Sequence, residues 1–575
     1  MAKLVTFFFL VELVALCAAD GGKVEHTFVV SQVSLSHLCK ETLAIVVNGQ
    51  FPGPMIELKE GDSVAVHVVN DSPYALTIHW HGVKQRLNCW GDGVGMLTQC
   101  PIQPSANFTY RFDVVGQEGT LWWHAHVSTL RATIHGALII RPRSSYPFSM
   151  PDREIPIIIG EWWEMDLGQL DRNLRNGNFD DNPSTATING KLGDCYNRSG
   201  TVEDNYVLDV EHGKTYLLRI INAALLSEYY LKVACHTFTV VAVDANYVKP
   251  YSTDVIAIAP GETVDALVVA DAPPGRYYMV AMANQSPKPD PPVPMFVARG
   301  VVRYNLSPPA SIIHSPQMPD QYDSMTSLYF HGNLTSLPHP LLPQLMTHVD
   351  EHMFIVLAAG TICTPVHGSS SCKRIQVARM NNISFQLPQT MSLLEAHYYK
   401  KSMAGVEELP ARPGRVFNFT NTAMIPKNNS EREAWVAPTR RATVVRMFRY
   451  NTVVDVVFQG TAVGASDSNP MHLHGHDMFV LAQGLGNYDA ARDMKRYNLV
   501  DPPLRNTVFV PRLGWAAVRF VMDNPGVWFL HCHYGFHLSM GMAVAFVVQD
   551  GPTLSTTLPP PPIGLPRCDH LYSAQ

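Results

Sequence analysis

The sequence predicts an all-β chain of about three sandwich units, and three observations carry that expectation. Short runs alternate apolar and polar residues, as in GDSVAVHVVN (61–70), where Val64, Val66 and Val68 fall on one face. Gly, Pro, Asn and Asp clusters punctuate such runs at intervals suited to sandwiches, and no long 3.6-residue period stands out. A weak internal repeat points to related units: GTLWWHAH (119–126) parallels GVWFLHCH (526–533), with Ala125 standing where Cys532 stands. The 575 residues also exceed what one hydrophobic core holds.

Taken in chain order, Lys3, the apolar run Val5–Leu16 (broken by Glu12) and small residues near Ala18 and Ala19 read as a signal peptide over 1–19. The first unit is placed at 20–145. A second, at 155–305, contains the strand signals YLLRIIN (216–222), FTVVAVDA (238–245) and ALVVAD (266–271). It offers PGRYYMVAMA (274–283) at the place of the repeat, without a histidine. A Pro- and Ser-rich stretch, 306–345, reads as a linker. The third unit, at 346–565, contains VVDVVFQG (453–460) and AAVRFVMD (516–523).

Composition excludes several classes. A formal net charge of −6, 16% charged residues and no basic runs give nucleic acid nothing to bind. After the leader no apolar run approaches ~18 residues, so no membrane anchor is expected. Sequons at Asn70, Asn107, Asn197, Asn284, Asn305, Asn333, Asn382, Asn418 and Asn428 suit a secreted glycoprotein, those at Asn70 and Asn305 being poorer because proline follows. Of ten cysteines, setting aside Cys17 in the leader and Cys532 leaves an even set suited to disulfides, whose connectivity spacing does not fix.

The chemistry is concentrated in histidine pairs. His79-Trp80-His81, His124-Ala125-His126, His472-Leu473-His474-Gly475-His476 and His531-Cys532-His533 each put imidazoles at i and i+2, on one face of a strand. With 24 histidines, chance gives roughly one such pair; the chain has five, counting the overlap at His474. Any one pair reads as ordinary core or surface histidine, but five together make a multi-metal site. Cys532 faces the other way from His531 and His533, toward His537 and Met542. A thiolate, an imidazole and a weak axial thioether select copper over zinc.

These motifs, with NGQFPGP (48–54), TQCPIQP (98–104) and LWWHAHV (121–127), resemble those of multicopper oxidases and are most similar to plant laccases, from about residue 25 to about 565. The resemblance implies three consecutive cupredoxin-like Greek-key domains, with a copper cluster between the first and third. It implies that His79 and His472 bind a type 2 copper, and that His81, His124 and His533, and His126, His474 and His531, bind a type 3 pair. With the type 1 copper, up to four coppers per chain are implied. Cys39–Cys195 and Cys100–Cys568 disulfides are likewise implied, leaving Cys89, Cys235, Cys363 and Cys372 open. Asp92, in Cys89-Trp90-Gly91-Asp92-Gly93, stands where the family carries an acid that assists proton delivery; a turn residue in a Gly-rich loop is the alternative.

One position departs from the pattern. The family reads His-Pro-x-His-x-His, its first histidine binding the type 1 copper and presenting a ring edge to the donor. Here that position is Asn469, before Pro470. Cys532, His537 and an axial Met542 remain, and a carboxamide is a harder, weaker ligand. Three outcomes stay open: copper held with water or Asn469 completing the site, recruitment of His476, or an empty type 1 site. The resemblance thus implies an apoplastic, secreted oxidase that takes electrons from small phenols, such as lignin precursors, and reduces dioxygen to water. The alternatives are an oxidase of ascorbate or metal ions, toward which Met542 leans, and a catalytically impaired copper-binding wall protein.

Overall fold

The computed structural model describes residues 21–568, apart from 38–39, 128, 179–180, 198–199, 289–292, 306–311, 366–371, 403, 416–417, 425–438 and 463–466. It is all-β with a few short helices, arranged as three cupredoxin-like domains. In the first, strands Lys23–His37, Lys40–Val47, Ser63–Asp71 and Asn107–Asp113 form one sheet, and Ile56–Lys59, Ile78–His81, Gly119–Ala125 and His135–Arg141 the other. The inward residues Val64, Val66 and Val68, read from their alternation, meet Trp80 and Trp123 of the facing sheet in one core. The second domain packs two six-stranded sheets. In the third, thirteen strands join in one continuous ladder around a core that includes Cys532 and Met542.

Strand Gly119–Ala125 is buried along its whole length because both its faces are covered. Leu121, Trp123 and Ala125 enter the first core, while Trp122, on the opposite face, packs with Ile158, Ile221 and Ala223 of the second domain. That face also carries His124, so the surface joining the domains is the surface bearing the histidine.

The stretch expected as a linker is structured in part. Residues Met325–Gly332 form a helix whose Phe330 enters the second core, and Ser336 bridges to Val248. Pro and Ser content signals the breaks in such a stretch but does not reveal a single apolar anchor between them. Cys100 is bonded to Cys568 with Cα atoms 5.2 Å apart, and Cys363 to Cys372 at 5.5 Å; Cys89 and Cys235 are free. Cys39 and the Cys195 side chain, the other implied pair, lie outside the described residues, as do the leader and Asn428. Among the sequons, Asn107 and Asn333 are exposed, whereas Asn70 is fully buried, its amide donating to the carbonyls of Tyr74 and Ile102. No helix of the described residues is long and apolar enough to cross a membrane.

Candidate metal centre

Two antiparallel strand pairs build the site. Ile78–His81 runs beside Gly119–Ala125 with His79 opposite His124. Asn469–Leu473 runs beside Gly526–Cys532 with His472 opposite His531, and Met471 opposite Cys532 on the other face. The first pair belongs to the first domain and the second to the third, and their histidine faces meet. The rings of His81 and His472 stack at 3.7 Å, and those of His79 and His474 at 3.9 Å. Three groups result: His79, His81 and His472; His81, His124 and His533; His126, His474 and His531. In each, the ligand atoms lie within 4.8 Å of one another. All eight imidazoles named from the sequence are therefore brought together.

One nitrogen of most rings is committed to the protein. The Nδ1 atoms of His79, His124, His472 and His531 donate to the carbonyls of Asp92 (2.7 Å), Ala125 (3.0 Å), Asn506 (2.9 Å) and Cys532 (2.9 Å). His81 is turned over: its Nε2 lies 3.1 Å from both Asn506 Oδ1 and Thr507 Oγ1. Such outer partners fix tautomer and ring plane. The opposite nitrogens are orphaned. Nε2 of His79, His124, His126 and His472, Nδ1 of His81 and both nitrogens of His533 are buried without a hydrogen-bond partner. Nε2 of His474 and of His531 face each other at 3.1 Å. A buried polar atom without a partner costs about 1–3 kcal/mol, and so many aimed inward suit metal ions. Burial, then the neighbouring imidazoles, hold His81, His472 and His474 well below the usual histidine range. Burial likewise leads for His124, His126, His531 and His533. A neutral ring keeps the lone pair that a metal takes.

Asp92 touches this cluster directly. Fully buried at the end of the turn Cys89–Gly91, it places Oδ2 2.9 Å from His474 Nδ1 and Oδ1 3.4 Å from His79 Nδ1. Its turn position and its contact with the histidines coexist. His476 Nδ1 donates to the His474 carbonyl at 3.1 Å, and its ring packs edge-on against Trp528.

On the reverse face of the same strand, Cys532 Sγ lies 3.4 Å from His537 Nδ1 and 3.6 Å from Asn469 Oδ1. Met542 is tied in by its backbone, accepting from Cys532 N at 3.1 Å and donating to the His537 carbonyl at 2.9 Å. Burial disfavours the charged form of His537, but Cys532 and Asp467 outweigh it and push the ring up to about 10. His537, Asn469, Met542 and Asp467 border a cavity of about 340 Å³, walled also by Phe296, Phe536 and Asn284. The imidazole edge bordering the cavity is His537 Nε2, 3.4 Å from Asp467 Oδ2, with the His537 side chain 12% exposed. Asn469 is only 4% exposed, and its carboxamide oxygen lies beside the thiol.

Three segments, 29–145, 153–304 and 408–552, match the multicopper oxidase family. The chain belongs to the multicopper oxidases. Within them it is a laccase: it is 61% identical to Laccase-15 of Oryza sativa subsp. japonica, over 95% of this chain and 94% of that one. It is 55% identical to Laccase-20 of the same source, over 97% of each. Among solved structures, a laccase from Botrytis aclada has the same fold, with TM-score 0.73 and 24% identity over 94% of this chain and 89% of that one. The iron-import oxidase Fet3p gives TM-score 0.70 at 21% identity, over 92% and 90%. Copper is accordingly the cofactor of this oxidase, and the inward-facing orphan nitrogens fit it.

Reading residues alone missed Asn506, Thr507 and Asp467. The first two sit in Arg505-Asn506-Thr507-Val508, which carries no ligand spacing, and act only because the fold lays them against His81 and His472. Asp467, two residues before Asn469, had no signal beyond that proximity.

Proposed function

We propose that the protein is a secreted, apoplastic laccase. It removes one electron and one proton from each of four small phenols, lignin-type phenols among them, as one dioxygen takes up four of each to give two waters. In this reading His79 and His472 hold the type 2 copper. His81, His124 and His533 hold one type 3 copper, and His126, His474 and His531 the other. Cys532, His537 and Met542 hold the type 1 copper, with Asn469 Oδ1 in the place usually given to imidazole. When bound, the coppers supply one-electron acceptance at one end and four-electron reduction of dioxygen at the other.

The chain's own residues do the rest. The cavity, walled by Phe296 and Phe536, takes a phenol ring beside His537. Asp467 accepts the phenolic proton, and a charged acceptor so close to the reacting hydroxyl favours its loss. Asp92, whose Oδ2 accepts from His474 Nδ1 and whose Oδ1 lies 3.4 Å from His79 Nδ1, orients those two rings and relays protons toward the buried cluster. Seven of the eight imidazoles are buried, and half-buried His126 turns a buried Nε2 inward, which keeps bulk water from the reduction chamber.

The observation that carries this reading is the strand Gly526–Cys532 and its next residue. They put the thiol on one face and two cluster imidazoles on the other, one residue away. Copper analysis with dioxygen uptake tests it. About four coppers per chain and phenol-dependent uptake are expected of such a site. A second reading, a copper-binding wall protein without turnover, rests on Asn469. About three coppers, with no thiolate–copper absorption and no uptake, would establish it instead.

A further inference from the structure

The middle domain contributes no candidate ligand, yet one of its turns ends against the segment that touches the cluster rings. Strands Phe238–Val243 and Asn246–Thr253 are joined through Asp244 and Ala245, both in the left-handed region at φ +46° and +59°. A two-residue hairpin demands that conformation, and Asp is among the residues that tolerate it. The turn is wedged against the strand bearing His124: a Cβ added at Gly119 would lie 2.8 Å from Ala245 Cα.

The Asp244 carboxylate is 2% exposed and fully used. It accepts from Thr263 N at 2.9 Å and from Thr507 N at 3.1 Å, and pairs with Arg505 Nε at 2.8 Å. Arg505 also reaches Glu262 at 2.8 Å, and Glu262 holds His331 Nε2 at 3.0 Å. Buried charge is thus matched by charge, with Arg505 spanning both carboxylates, which makes the arrangement stiff. It grips the segment that touches the rings. Thr507 Oγ1 lies 3.1 Å from His81 Nε2 and 3.2 Å from His472 Nδ1, the two rings stacked at 3.7 Å. Asn506 meets the same rings with its side-chain oxygen and its carbonyl.

We infer that Asp244 is a positioning residue, which through Thr507 fixes the ring planes of His81 and His472 and thereby the retention of cluster copper. The inference rests on the copper reading above. It gives the ligand-free middle domain a part in the metal site: the domain clamps from below what the outer two domains supply.

Copper content after graded chelator dialysis tests it, alongside the electron paramagnetic resonance signal of the type 2 copper. Asp244→Asn, which weakens acceptance from Arg505 and Thr507, and Thr507→Val, which removes the shared hydroxyl, are expected to lower cluster-copper affinity about 10- to 100-fold. Thr507→Ser keeps the hydroxyl and is expected to match the wild type. The thiolate–copper absorption stays unchanged throughout. Asp244→Glu keeps the charge that Arg505 needs, guarding against a misfolded Asn variant. Its extra methylene displaces the clamp and is expected to loosen cluster copper about tenfold. Wild-type affinity in Thr507→Val, or in every folded Asp244 variant, overturns the inference. Absence of cluster copper from the wild type would instead overturn the copper reading.

Discussion

The two faces of one strand make an instructive pair. On the face of His531 and His533 every ligand position is an imidazole, and outer carbonyls, Asp92, Asn506 or Thr507 fix most of the ring planes. On the face of Cys532, one imidazole, His537, and the carboxamide of Asn469 flank the thiol, and the centre borders a cavity. The histidine face holds its rings in a fixed geometry, and on the proposed reading losing one of them would unmake a shared chamber. The cavity-side centre is the one to which the proposed function gives single electrons. There Asn469 keeps an oxygen within 3.6 Å of the thiol, while the ring nearest the donor, His537, is intact. On the proposed reading, Asn469 bears on copper retention and potential, and the donor's point of contact stays in place.

The largest effect should come from cutting the link between the faces. Cys532→Ser removes the thiolate while leaving all eight imidazoles. We expect the visible thiolate–copper absorption to vanish and phenol-driven dioxygen uptake to fall by about three orders of magnitude, roughly 4 kcal/mol. Cluster copper should be kept. Spectra, oxygen-electrode rates and copper analysis check this, and loss of cluster copper as well would show that the two faces are not separable.

Next comes Asn469→His, which gives the Cys532 centre a second imidazole. Asn469 borders the cavity and places a carboxamide beside Sγ, so an imidazole there should raise type 1 copper affinity about tenfold or more, roughly 1.4 kcal/mol. Phenol-oxidising kcat should rise with it. Unchanged copper retention and kcat would show that Asn469 already serves as an adequate ligand.

How much of this contrast was legible in the sequence follows from its range. The i, i+2 histidines were readable because a strand fixes their common face whatever surrounds it; Cys532, between two of them, had to face away. The sandwich cores were readable from the alternation of Val64, Val66 and Val68. What held the rings was not. Thr507 meets His81 across 426 positions and Asp244 meets Thr507 across 263, contacts that no local pattern announces. The helix Met325–Gly332 was hidden among prolines and serines, because its reason is a tertiary one, Phe330 in the second core. Which ring borders the cavity was likewise not legible, because the burial of position 469 depends on its neighbours.

A smaller effect is expected at the cavity mouth. Asp467→Asn keeps the shape beside His537 Nε2 but removes the charged proton acceptor. The Asp467 side chain is 34% exposed, so solvent screening leaves about 1 kcal/mol, roughly fivefold in kcat/KM for phenols. A donor that loses an electron and no proton, such as ferrocyanide, should be spared. Equal losses for both donors would mean that Asp467 supports the centre's structure and takes no proton.

The smallest effect should follow Met542→Leu, a near volume-conserving change at a residue 3% exposed. Its backbone bonds to Cys532 and His537 do not involve the side chain, so stability should change by less than about 1.5 kcal/mol. The thioether is a weak axial donor that favours oxidised copper, and leucine offers no donor at all, so the type 1 potential should rise. Redox titration of the visible absorption reads this independently of turnover. An unmoved potential would assign Met542 to packing alone, a role methionine fills readily. The centre would then rest on Cys532, His537 and whatever Asn469 contributes, widening its contrast with the fully furnished cluster on the strand's other face.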